Sequence, residues 1–135
     1  MKVVSTRGNA PAVGIGDAIA AGLAPDGGLY MPEAWPSFAP ADFDGCNSTA
    51  EIAARMLAPF FAGDVLAPQL AGICADAFAV EPPLRDFGKD GDHVLELFHG
   101  PTAAFKDYGA AFLAGCLAAL PRGDKPLTIF VATSG

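Results

Sequence analysis

Lys106 is the side chain in this sequence whose surroundings most demand a chemical explanation. It stands between Phe105 and Asp107 in LELFHGPTAAFKDYGAAF (95–112). Phe105, Tyr108, Gly109, Phe112, Leu113, Cys116, Leu117 and Leu120 follow the i, i+3, i+4, i+7 spacing. The opposite face holds Ala103, Ala110, Ala111, Ala114 and Ala118 in place of charge. This pattern predicts a helix buried nearly all round. The neighbours of Lys106 on its own face, Thr102, Ala103, Gly109 and Ala110, are small and leave room for something flat. Burial disfavours an ammonium, so a buried lysine tends to lose its proton. The neutral amine is a nucleophile that joins aldehydes as a Schiff base. The competing reading of the spacing is that Lys106 pairs with Asp107 or a distant acid and extends its head into water.

Other reactive side chains carry less. Ser134, His99 and Asp107 are the residue types of a hydrolytic triad, but no nucleophile elbow surrounds Ser134. Arg7 has the charge to meet a phosphate, and equally suits a surface strand or loop. Asp107 either tunes Lys106 or favours the dipole of its helix. Cys46, Cys74 and Cys116 are odd in number and widely spaced, so neither a disulfide framework nor a zinc site is expected.

The elements that must position these residues fall into two textures. Residues 2–6 read as a strand, 16–23 as a short helix, and Pro25-Asp26-Gly27-Gly28 as a turn in which proline fixes φ and glycine accepts a positive one. Leu29-Tyr30-Met31 reads as extended, and residues 32–47 as a surface loop. Ser48-Thr49-Ala50-Glu51 has capping-box spacing and opens a helix to about residue 61. Asp64 caps a second helix with the stripe Leu66, Leu70, Ile73, Cys74 and Phe78. The run EPPLRDFGKDGD (81–92) is a break, placing a domain boundary between residues 1–82 and 83–135. Beyond it, a strand at 93–98, a helix at 102–120 and an apolar strand at 127–131 predict a βαβ unit with parallel strands. Ligands of such sheets bind beyond the carboxyl ends of the strands, where His99 and Thr133-Ser134-Gly135 would lie.

Composition excludes several classes. The chain has 135 residues, 52% of them hydrophobic and 17% charged, with a net charge of -7. It lacks the basic cluster of a nucleic-acid binder. No apolar run has the length of a membrane span, and the amino terminus lacks a secretory h-region, so a cytoplasmic location is expected. High apolar content with few charges suggests surface that meets further protein.

HGPTAAFKDYG (99–109) resembles the pyridoxal-phosphate lysine segment of the threonine synthase family. LELFHGPT, ATSG (132–135), STRGNAP (5–11) and GLAPDGGLYMP (22–32) are similar to the same family, in the same order. The resemblance implies an α/β fold: a small amino-terminal α+β domain, then the start of a parallel-sheet, fold-type II (tryptophan synthase beta-like) domain that is truncated here. It implies pyridoxal 5'-phosphate as cofactor and conversion of O-phosphohomoserine and water to threonine and phosphate. Lys106 matches the Schiff-base lysine, and Thr133, Ser134 and Gly135 match a loop that binds the substrate carboxylate. Beside that lysine two readings stay open for each neighbour: His99 orients the cofactor or moves a proton, or is a strand-end histidine held by backbone hydrogen bonds, and Phe105 packs on the cofactor or belongs to the core. The family's cofactor-phosphate loop lies further along its longer chains, so the missing carboxyl-terminal part is the expected partner. Two alternatives remain: a phospho-lyase yielding 2-oxobutyrate from the same substrate, or an inactive fragment or docking module.

Overall fold

The computed structural model describes residues 1–121, 128 and 129. The expected strand at 127–131 and the Thr133-Ser134-Gly135 segment lie outside the described residues, apart from Thr128 and Ile129, which belong to no strand. The described part is a mixed α/β structure with two small sheets and four α-helices.

The first sheet has the order β2-β1-β3 and pairs antiparallel throughout. Its strands are β1 (Lys2–Ser5), β2 (Val13–Gly14) and β3 (Tyr30–Pro32). Val3 and Ser5 of β1 are buried, one pleat apart, as a half-buried strand requires. Between β2 and β3 lie α1 (Ile15–Ala21) and the turn read from sequence. In that turn Gly27 N–H donates to the Ala24 carbonyl at 2.8 Å, and Gly27 has φ 76°.

Helices α2 (Thr49–Phe61) and α3 (Leu70–Ala77) pack together, as the two apolar stripes predict. Ser48 caps α2 by accepting from Glu51 N–H at 3.2 Å. The reciprocal half of the box is displaced by one residue, since Glu51 accepts from Asn47 N–H at 2.5 Å. Asp64 serves two elements, accepting from Leu66 N–H at 3.0 Å before α3 and from Gly16 N–H at 3.0 Å at the start of α1.

Two expectations need correction. The segment 81–92 is not only a break: Leu84–Asp86 (β4) pairs antiparallel with His93–Leu95 (β5), and Gly88 and Gly91 turn between them with positive φ. The strand expected at 93–98 therefore stops at residue 95 and finds its partner in the preceding segment. All strand pairs among the described residues are antiparallel. Second, helix α4 runs from Lys106 to Ala119 and not from Thr102.

Helix α4 packs on α3 and α1. Cys116 joins Phe61, Leu66, Leu70, Ile73 and Cys74 in one buried cluster. This core thus includes residues from both sides of position 82. Glu81 adds a polar tie by accepting from Thr49 N–H at 2.9 Å and from the Thr49 hydroxyl.

Candidate active site

Lys106 is the first residue of α4, and it is exposed. The helix is not buried all round. Tyr108 and Cys116 are buried against its neighbours, whereas Phe105, Gly109, Ala110, Leu113, Ala114 and Ala118 are exposed. The buried side of α4 rests on α3 and α1, and its remaining side is exposed among the described residues. The desolvation expected for Lys106 is absent as a consequence.

Pairing with Asp107 is also absent. The Asp107 carboxylate accepts from Thr102 N–H at 2.9 Å and from the Thr102 hydroxyl at 2.5 Å. Neighbouring residues on a helix do not face each other, so the acid beside Lys106 in sequence points elsewhere. The Thr102 hydroxyl, then its N–H, holds the Asp107 carboxyl below the ordinary aspartate range. Ala103 adopts a left-handed φ of 54°, which a non-glycine residue rarely takes. These two features delay the helix from Thr102 to Lys106. No periodic signal in the sequence discloses either.

Phe105 lies beside Lys106 with 64% of its surface exposed. It lines an apolar hollow of about 450 Å³ together with Leu95, Leu97, Phe78, Gly109 and Phe112. A Cβ at Gly109 would meet none of the described residues within 4 Å. An exposed lysine, an exposed flat ring and an exposed glycine thus fall within about one turn at the start of α4, and Phe105 and Gly109, without Lys106, line the hollow.

His99 is engaged elsewhere. Its Nε2 lies 2.8 Å from Glu96 Oε2, and its ring stacks on Phe98 with centroids 4.7 Å apart. Glu96 also faces Arg85 Nε at 3.8 Å, so His99 is held by a side-chain carboxylate of the hairpin segment. Arg7 is committed to the turn after α1, donating to the Asp26 carbonyl at 2.9 Å and lying against Gly27. Tyr108, read from the sequence only as part of the apolar stripe, is buried with a hydroxyl that has no hydrogen-bond partner among the described residues, and its ring stacks on Phe78.

A sequence model described as "Threonine synthase N terminus" matches residues 2–78. The chain belongs to the threonine synthase family. It is 39% identical to a threonine synthase of Pseudomonas aeruginosa, over all of this chain and 30% of that protein. Among solved structures it is similar to a pyridoxal-phosphate-bound threonine synthase from Brucella melitensis, at 41% identity and a TM-score of 0.71. That match covers 87% of this chain and 28% of the Brucella chain. The threonine synthase from Escherichia coli gives a TM-score of 0.76 at 30% identity, with the same coverage. The chain therefore spans about a third of the length of its threonine synthase relatives.

Proposed function

We propose that this chain is the amino-terminal part of a threonine synthase and that Lys106 is the amine that attaches pyridoxal phosphate. In this reading residues 1–82 are the accessory domain and residues 83–135 begin the fold-type II cofactor domain of a cytoplasmic enzyme. The observation that carries it is the exposed Lys106 at the head of α4, with the adjacent Asp107 held by Thr102, within a chain similar over its whole length to threonine synthases.

The residues present fit such a group. Lys106 offers a primary amine, Phe105 a flat apolar ring, and Gly109 an open approach. When bound, the cofactor supplies an electron sink that permits phosphate to leave O-phosphohomoserine and water to add. Lys106 Nζ would hold the cofactor through its amine and would take and return protons during turnover. Phe105 would pack beside the cofactor ring. His99, held by Glu96, would orient the cofactor or take part in proton transfer. Thr133, Ser134 and Gly135 hold the substrate carboxylate through hydroxyl and N–H groups.

The test is to mix the chain with the remaining carboxyl-terminal part of a threonine synthase, add pyridoxal phosphate and O-phosphohomoserine, and measure products. Threonine and phosphate are expected, and Lys106→Ala is expected to abolish both. Persistent turnover in Lys106→Ala would contradict the assignment, and 2-oxobutyrate in place of threonine would identify a phospho-lyase.

A further inference from the structure

We propose that Asp107 is a positioning residue for Lys106, clamping the Gly100–Ala103 turn against the start of α4. The inference rests on the reading of Lys106 as the cofactor lysine. Asp107 is not an ordinary helix cap. A capping side chain precedes the helix and accepts from N–H groups inside it. Asp107 is the second residue of α4 and reaches backwards, five residues, to both donors of Thr102 at 2.9 and 2.5 Å.

The turn is shaped for this contact. A Cβ on Gly100 would lie 2.4 Å from Asp107 Oδ2 and 2.8 Å from Asp107 Cβ, so only glycine admits the approach. Ala103 N–H closes the turn on the Gly100 carbonyl at 3.1 Å, while Ala103 holds φ 54°. A non-glycine residue stays in that region only where its surroundings enforce it. Asp107 N–H then donates to the Ala104 carbonyl at 3.1 Å, fixing the chain on the other side of Phe105 and Lys106. The clamp has two consequences. It sets where α4 begins, and hence where the Lys106 side chain departs. It also keeps the neighbouring carboxylate on Thr102 and away from the lysine amine.

The test uses the whole chain with pyridoxal phosphate, borohydride reduction and peptide mass spectrometry. Adducts at Lys2, Lys89 and Lys125 serve as internal references. Asp107→Ala and Thr102→Val are expected to lower the Lys106 adduct, relative to those references, by about 10-fold or more. Thr102→Ser keeps both donors and is expected to restore it. Melting temperatures separate loss of fold from loss of positioning, and hydrogen exchange at the Thr102 amide reads the clamp without cofactor. Faster Thr102 exchange together with a depleted Lys106 adduct supports the proposal. Faster exchange with an unchanged adduct overturns it while leaving the cofactor lysine standing. Unchanged exchange in Asp107→Ala shows that no clamp exists. A wild-type chain with no preference for Lys106 overturns the cofactor reading and the positioning role with it.

Discussion

Single residues carry most of the chemistry and two of the clearest tests. Tyr108 is buried, yet its hydroxyl has no partner among the described residues. Leaving a polar group buried and unpaired costs about 1–3 kcal/mol. Tyr108→Phe is therefore expected to leave stability unchanged or raise it by about 1 kcal/mol, as measured by denaturant unfolding. A loss larger than that would mean the hydroxyl has a partner. Asp26 gives a pH test. Its carboxylate accepts from the Ser5 hydroxyl at 2.6 Å, Gly28 N–H at 2.9 Å and Asn9 N–H at 3.0 Å. The Ser5 hydroxyl, followed by Gly28, holds its carboxyl below the ordinary range. The folded value is lowered, so the contribution to stability is present above the unfolded value of about 3.9. It is lost as pH falls through the folded value. The Gly28 amide resonance is expected to titrate with a midpoint below that of an ordinary aspartate, and a midpoint at or above it would contradict the network. The sequence showed the turn and the unusual lysine. It hid the Thr102–Asp107 contact, because a backward reach across a left-handed alanine leaves no periodic trace.

At the scale of elements, glycines within α4 make opposite predictions. A Cβ at Gly115 would lie 2.9 Å from Ile73 Cγ2 of α3, a branched side chain with little room to yield. Helix propensity gains about 1 kcal/mol from glycine to alanine, while overpacking costs about 1–3 kcal/mol. Gly115→Ala is therefore expected to be neutral to destabilising by up to about 2 kcal/mol. Gly109 faces open space, and Gly109→Ala is expected to stabilise the chain by about 1 kcal/mol. Thermal unfolding of the pair checks both, and the reverse order would contradict the α3–α4 packing. Helix α2 was legible because periodicity and Ser48 agree, and α3 from its apolar stripe; the cap expected at Asp64 is not the cap of α3, which begins at Leu70 after Gln69, since Asp64 accepts from Leu66 N–H in the preceding turn. The β4–β5 hairpin was not, because its prolines, glycines and charges are also the signs of a linker. The extent to which α4 is covered was also misread. An all-round apolar pattern shows what a helix is suited to, and one packed face is what the described residues provide.

For the molecule as a whole, the core gathers α1, α2, α3 and α4 around Cys74 and Cys116. Both thiols are fully buried, and burial pushes Cys116 up to about 11 and raises Cys74. Cys46 is only partly covered. Alkylation near neutral pH is expected to modify Cys46 first, with Cys74 and Cys116 reacting together and only on unfolding. Early, separate labelling of Cys116 would mean that α4 leaves the core independently. The family was legible from ordered segments along the sequence, while the chain spans only about a third of its relatives. The central claim is that Lys106 stands ready to take an aldehyde. Its most direct test is incubation of the purified chain with pyridoxal phosphate, borohydride reduction, and location of the modified peptide by mass spectrometry. A dominant adduct on Lys106 is predicted; adducts scattered equally over Lys2, Lys89, Lys106 and Lys125, or none, would contradict it.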